Sequence, residues 1–407
     1  MQDETGSENI FIGRQPIFNR ELKLYGYELL FRSSEQGFAN IDDADQATAQ
    51  VMINAFTEFG LNHVVGDNPA FINMTRDFLT GKNPLPLEPD RVVLEILETT
   101  TVDAELISGV SKLVDQGFII ALDDFVYSSE WDPLLEMAGI IKIEVPALNE
   151  EELWNHAVKL RRYNAKLLAE KVETEEEFEN LRQMGYDLFQ GYFLAKPKVL
   201  RGTRIPTNKL TILQLVLELQ DKNTDVDRLE QIISRDVTMS YRILRYINSA
   251  YCALSRKVES IHEAIVYVGT GNISRWASLI AMTGFNDRPE ELLRMAMMRA
   301  RMCERMANAA GCADTGSYFT VGLFSVLDAL LRQPMSSIVS ELPFSEEMKA
   351  ALLYKQGRIG EALQCAESCE QVICEPSGFG SLDRIQLRDI YLEAMVWSND
   401  NTRQLLK

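Results

Sequence analysis

Phe118–Ser129 reads FIIALDDFVYSS. The run Ile119–Leu122 carries no charge and then meets two adjacent carboxylates, Asp123 and Asp124. A short apolar run rich in β-branched residues reads as a strand buried on both faces. Burying one carboxylate is costly, and two neighbours repel unless a cation lies beside them. Taken alone the segment has a plainer reading, in which the pair lies just past the strand and caps the helix that opens at Asp132. The same pattern recurs along the first half of the chain, and that recurrence decides the fold.

Upstream, Ile10–Arg32 alternates as two strands joined by a polar turn near Asn19–Arg20, the second (Leu22–Phe31) carrying Glu28 with Arg32 beyond it. Asp42–Phe59 has Ala47, Val51, Ala55 and Phe59 at helical spacing. Pro69–Met74 is a short strand ending at Asn73, and Arg91–Leu97 another, with Glu95 inside it and Glu98 after it. Helix Ala104–Gln116 leads back to the opening stretch. Downstream come strand Ile140–Val145 with Lys142, helix Glu150–Tyr163, strand Lys166–Val172 with Glu170, helix Glu175–Met184 and strand Leu188–Leu194 with Gln190. Strands separated by helices at intervals of about 20 to 30 residues have the rhythm of strand–helix units and a parallel sheet. The expected fold is therefore α/β, a modified TIM-type (β/α)8 barrel that opens on a hairpin, with an open doubly wound sheet as the competitor.

Pro197–Lys209 is basic, contains Gly and Pro and lacks apolar periodicity, so it reads as a linker. Beyond it Leu210–Leu219, Asp227–Arg235, Thr238–Tyr246, Ile261–Val268, Ile273–Met282, Glu290–Ala310, Phe319–Leu331 and Arg384–Leu406 all carry helical patterns and none reads as a strand. The expected organisation is a barrel over 1–198, a linker over 199–209 and an all-α domain over 210–407.

The chain has 407 residues, and 60 Asp and Glu against 41 Lys and Arg give a formal charge of −19. Such a field repels nucleic acid and anionic membranes, which argues against either as a primary partner. The acidic start MQDETGSEN has no apolar h-region, and no run is long enough to span a bilayer, so a cytoplasmic protein is expected. Six cysteines are too few and too scattered for a disulfide framework. Cys365, Cys369 and Cys374 are close enough to suggest a metal site, but His63, His156 and His262 are all remote and a fourth ligand is missing.

In a barrel, residues at the C-terminal ends of strands face a common mouth. Successive strand ends present Glu28, Asn73, Glu95, Asp123 with Asp124, Lys142, Glu170 and Gln190. Each has a bland explanation singly: Glu28 could pair with Arg32, Lys142 could snorkel, Gln190 could turn a loop. Seven strands each delivering a polar group at the equivalent place is harder to dismiss. Carboxylates and an amide without histidine or cysteine form a hard oxygen shell that favours Mg2+ or Mn2+ over zinc. Two such ions would suit in-line hydrolysis of a phosphodiester, with the lysine orienting water or stabilising phosphate charge.

These residues resemble the EAL domain, the cyclic di-GMP phosphodiesterase fold of bacterial signalling proteins. The matching pieces are QPIF (15–18), GYELLFR (26–32), FINMT (71–75), LEILE (94–98), DDF (123–125), IKIE (141–144), AEKVET (169–174) and QGYFLAKP (190–197). The resemblance implies that Glu28, Asn73, Glu95, Asp123 and Glu170 are metal ligands, with Asp124 near a second ion. It implies that Lys142 assists the catalytic water, Gln190 holds a metal-bound water and Glu98 braces the loop after DDF. Arg32 would touch a phosphate, and Gln15, Tyr192 and Pro197 would meet the substrate. The reaction would open cyclic di-GMP to linear pGpG.

The chain departs from the family pattern after DDF, where Val126 stands in place of a glycine-containing stretch and leads straight to Tyr127-Ser128-Ser129. Valine disfavours the positive φ that glycine permits. Leu29 replaces the alanine of the EAL triplet, and Met74-Thr75 departs after the asparagine. An inactive EAL domain that senses cyclic di-GMP or docks partners is therefore the alternative, and a hydrolase for another phosphodiester, such as a glycerophosphodiester, ranks third. Residues 205–407 resemble an HDOD domain through LRYINSAY (244–251), VGTGNISRW (268–276) and GLFSVLDALL (322–331). Ser325 and Val326 stand where HD hydrolases carry His-Asp, so the expectation is a regulatory module that binds a protein partner, without a second metal centre. The two domains in this order resemble the EAL–HDOD (YuxH-like) signalling architecture, for which a homodimer is an open expectation.

Overall fold

The computed structural model describes residues 10–33, 61–83, 85, 87–125, 127–191, 207–221, 223–248, 258–283, 289–342, 344–370 and 378–405. The helix read over Asp42–Phe59 lies outside them, as do Val126, Tyr192 and Pro197. The chain divides into two compact units, the first spanning Met1–Lys196 and the second opening at Pro197.

The first unit is a closed barrel in chain order, β1 to β8. Its strands are β1 (Ile10–Asn19), β2 (Leu24–Ser33), β3 (Ala70–Met74), β4 (Val92–Ile96), β5 (Ile119–Leu122), β6 (Ile140–Glu144), β7 (Lys166–Glu170) and β8 (Leu188–Gln190). β1 runs antiparallel to both neighbours, β2 and β8, and every other pairing is parallel. The Ile17–Gln190 pairing closes the ring, which removes the open doubly wound sheet as an alternative. All five residues of β4 are buried, as expected for a strand covered by helices outside and side chains within.

The α-helices between strands among the described residues are α1 (Leu61–Val65), α2 (Arg76–Leu79), α3 (Ala104–Asp115), α4 (Asp132–Leu135), α5 (Glu150–Leu160) and α6 (Glu175–Met184). Asn149 with Glu152, and Thr174 with Glu177, form reciprocal capping boxes that start α5 and α6. α6 stops at Gly185, whose φ of 98° suits a residue without a Cβ. β8 is described as far as Gln190; Gly191 follows at φ 146°, where a Cβ would lie 2.1 Å from the Val172 carbonyl oxygen, and the rest of the strand read to Leu194 lies outside the described residues.

One inward layer of the barrel is apolar: Ile17, Phe71, Val93, Ala121, Ile140, Leu168 and Leu188. On β2 the corresponding position is Gly26, where a Cβ would meet the Phe71 ring at 2.9 Å, so the phenylalanine fills the space that glycine leaves. Adding two residues along each parallel strand returns to the same inward face one layer higher. That arithmetic places Glu28, Asn73, Glu95, Asp123, Lys142, Glu170 and Gln190 in the next layer. β1 runs the other way, so its member is Gln15.

The second unit is helical, with no strand among its described residues. Its first helix among the described residues is Thr207–Leu219, which begins inside the segment 199–209. The helix Glu290–Ala309 is buried along much of its length, hiding Leu292, Ala296, Met297, Ala300, Cys303 and Met306. Thr315–Phe324 crosses it closely at Gly322, where a Cβ would stand 2.6 Å from the Ala300 Cα. Glu304, 1 % exposed, is neutralised by Arg301 at 3.0 Å and by Arg275. No helix among the described residues is long and apolar enough to cross a membrane.

Candidate active site

Lys142 is fully buried, and its ammonium meets four carboxylates, three on β2, β4 and β7 and one just past the end of β5. Its Nζ lies 2.6 Å from Asp123 Oδ1, 2.7 Å from Glu95 Oε1, 3.0 Å from Glu170 Oε1 and 3.4 Å from Glu28 Oε1. Gln190 Nε2 donates to Glu28 Oε2 at 2.5 Å and to Gln15 Oε1 at 2.8 Å. Residues up to 175 positions apart in the chain thus share one contiguous polar cluster. Neither aspartate of the DDF segment caps the helix after it: α4 begins at Asp132 with Trp131 at its N-cap.

The backbone explains why two consecutive aspartates reach the same mouth. Asp123 N–H donates to the Ile96 carbonyl of β4 at 2.9 Å, while Phe125 N–H donates to the Lys142 carbonyl of β6 at 3.0 Å. Between them Asp124 adopts φ 42°, the left-handed region that aspartate tolerates better than most residues. In an uninterrupted strand neighbouring side chains point to opposite faces. Here the turn at Asp124 brings one oxygen each of Asp123, Asp124 and Glu170 within 4.8 Å of one another. The positive φ falls on Asp124, and Val126, to which sequence reasoning assigned the conformational difficulty, lies outside the described residues.

One ammonium cannot balance this cluster. Burial pushes the Glu95 carboxyl well above its ordinary value, opposed by Lys142 and reinforced by Glu28 and Asp123. Burial likewise pushes Glu170 up to about 8, against the pull of Lys142. Asp124 is raised by burial and by the neighbouring Asp123 charge. Burial disfavours the charged Lys142, yet Glu95 and the other carboxylates around it hold its pKa well above the ordinary lysine value. These shifts describe a mouth short of positive charge.

The donor set fits a hard divalent cation. Asn73 Oδ1, Glu95 Oε2, Glu170 Oε2 and Gln190 Oε1 are buried oxygens without a hydrogen-bond donor, and Glu95 Oε1 meets only the Lys142 ammonium. Unmatched buried acceptors are costly, and a cation coordinated by them removes that cost. All are carboxylate or amide oxygens, the ligand type suited to Mg2+ or Mn2+.

The remaining expected site residues fall elsewhere. Glu98 is exposed in the turn after β4, and its charge is felt at Asp124. Arg32 lies on β2, with its side chain outside the description. Leu29, the departure from the EAL triplet, is 1 % exposed on the outward face of β2 and leaves the mouth unaltered. Two mouth residues escaped the sequence reading: Glu144, two positions beyond Lys142, and Lys171, which pair at 2.7 Å. The period-two count along β6 would have found Glu144. In the helical unit Asp227, Glu230 and His262 converge, with His262 Nδ1 2.8 Å from Glu230. They are exposed or half-buried side chains at the surface, unlike the enclosed mouth of the barrel.

The chain matches the HDOD domain over residues 205–337. It is 33 % identical over 404 residues to YuxH of Bacillus subtilis, covering 96 % of this chain and 98 % of that one. It is also 33 % identical over 408 residues to CdgJ of Vibrio cholerae, described as a cyclic di-GMP phosphodiesterase, covering 97 % and 93 %. Among solved structures it is similar to Klebsiella pneumoniae BlrP1 in its calcium and cyclic di-GMP complex, with 20 % identity, a TM-score of 0.39, and 47 % and 56 % of the two chains covered. A barrel with this mouth, a helical unit matching HDOD and likeness over nearly the whole length place the chain in the EAL–HDOD (YuxH-like) family.

Proposed function

We propose that the barrel is a divalent-metal-dependent phosphodiesterase that opens cyclic di-GMP to linear pGpG. The observation that carries this reading is the buried ring of carboxylate and amide oxygens around Lys142, several without a donor. The description of CdgJ, similar over nearly the whole chain, supports the choice of substrate.

Glu28, Asn73, Glu95, Asp123 and Glu170 would hold Mg2+ or Mn2+, with Asp124 turned toward a second ion. Bound there, such ions neutralise phosphate charge and lower the pKa of water. Once bound ions draw carboxylates away from Lys142, its ammonium, now within 3.4 Å of all four, would be released to assist an attacking water. Gln190, oriented by Gln15 and Glu28, presents its free Oε1 to a water proton. Arg32, Tyr192 and Pro197 are assigned to the substrate, and Glu98 to the support of the loop after Phe125. The helical unit is a non-catalytic module for a protein partner or a second copy, and the whole acts in the cytoplasm.

Incubating the purified chain with cyclic di-GMP and Mn2+ or Mg2+, with products separated by chromatography, is the test. Linear pGpG that vanishes in Glu28→Ala is the expected result. The absence of turnover with either metal at high protein concentration overturns the reading.

A second reading has one observation in its favour. Lys142 already ion-pairs with all four carboxylates, so the cluster has an internal cation of its own. On that reading the barrel binds the dinucleotide as a sensor without cleaving it. Calorimetry that shows binding where chromatography shows no product selects it.

A further inference from the structure

The loop that leaves Asp123 and Asp124 lacks glycine, and a cluster outside the mouth holds its far end. Phe125, 3 % exposed, packs edge-on against Trp131 with ring centroids 6.0 Å apart. Tyr127 then reaches across to the end of α5 and the turn after it. Its hydroxyl donates to Asp132 Oδ1 at 3.1 Å. The same oxygen accepts from Tyr163 at 2.9 Å and from Arg162 Nη2 at 3.5 Å. Arg162 also donates to the Tyr127 hydroxyl at 3.4 Å and to the Tyr163 hydroxyl. The Lys159 ammonium sits 3.1 Å from the centre of the Tyr127 ring.

Between this cluster and Asp123 stand only Asp124, Phe125 and Val126. Asp124 is left-handed at φ 42°, a conformation an L-residue keeps only where its surroundings impose it. One side of the imposition is the pair of backbone bonds to β4 and β6. The other is the tether at Tyr127. We propose that Tyr127, held by Asp132, Tyr163, Arg162 and Lys159, is a positioning residue that keeps the Asp123–Asp124 carboxylates together for a divalent cation. The inference rests on the reading of the mouth as a metal site and does not require that the site turn over.

The test uses the full chain and reads metal affinity in the absence of substrate. Mn2+ binding is titrated by calorimetry in wild type, Tyr127→Phe, Tyr127→Ala and the control Arg161→Ala. Hydrogen exchange over residues 123–132 is followed in parallel. Arg161 sits beside the cluster but donates to the Met184 carbonyl at 2.6 Å, so its loss weakens the same region without touching the tether. Tyr127→Ala is expected to weaken Mn2+ binding about tenfold, the low end for losing a residue that supports metal ligands, and to speed exchange in the loop. Tyr127→Phe, which keeps the ring on Lys159, should fall between it and wild type. Arg161→Ala should bind Mn2+ as wild type does. Unchanged affinity in Tyr127→Ala, an equal loss in Arg161→Ala, or a wild type that binds no Mn2+ overturns the inference. A wild type that binds Mn2+ but yields no pGpG defeats the phosphodiesterase reading and leaves this one standing or falling on the affinities.

Discussion

Lys142 must balance more charge than it carries. Removing one partner from a buried ionic cluster leaves the others uncompensated, at a cost of about 3–5 kcal/mol. Lys142→Met, close in shape and neutral, should therefore be less stable by about that amount in chelator. Mn2+ should restore more stability to the variant than to wild type. Equal denaturation midpoints for variant and wild type in chelator would show that the cluster is already neutral by protonation. Glu170 gives the pH counterpart. Burial, opposed by Lys142, lifts its carboxyl from 4.5 to about 8, so the folded state retains a proton that the unfolded state gives up. A raised folded-state value means stability that is fully present below about pH 4.5 and is lost as pH rises toward 8. Metal-free protein should have a lower urea midpoint at pH 8 than at pH 5.5, and Glu170→Gln should flatten that difference. A midpoint in the variant that falls as steeply as in wild type would refute the assignment to Glu170.

At the scale of elements, close approaches decide what the chain tolerates. Gly109 lies within α3, where alanine ordinarily favours a helix by about 1 kcal/mol. A Cβ there would stand 2.2 Å from the Leu79 carbonyl oxygen and 2.8 Å from the Thr80 Cα, both backbone atoms. Gly109→Ala should thus lower the melting temperature despite its better propensity; a rise would mean that α2 can yield. A close approach of the same kind occurs in the helical half: Gly357–Glu370 is a helix that escaped the sequence reading, and a Cβ at its Gly360 would stand 2.3 Å from the Lys355 carbonyl carbon. Phe319–Leu331 reads as one apolar helix but is two, Thr315–Phe324 and Leu327–Leu331. Between them Ser325 turns its hydroxyl back to the Gly322 carbonyl at 2.8 Å, a local bond that hydropathy does not register. The barrel was more legible because each strand brings one polar group at a fixed phase, and a period of two along a strand leaves a mark that tertiary packing does not erase. The tether at Tyr127 left no such mark, since its members meet only through the fold.

For the whole molecule the governing quantity is charge. On the proposed reading, a chain at −19 would take up an anionic dinucleotide against its own long-range field, and divalent cations held at the mouth would reverse that field locally. Beyond about 8–10 Å at physiological salt the field is screened, whereas contacts in the mouth are screened far less. Salt should therefore act mainly on the encounter. With Mn2+ saturating and turnover avoided by working within the first milliseconds, the association rate of cyclic di-GMP measured by stopped flow should rise as salt goes from 20 to 200 mM. Dissociation should change less. This is opposite in sign to the behaviour of a basic nucleic-acid-binding protein, whose affinity falls steeply with added salt. An association rate that falls with salt would mean that cations at the mouth, Lys171 among the candidates, steer the ligand in spite of the net charge.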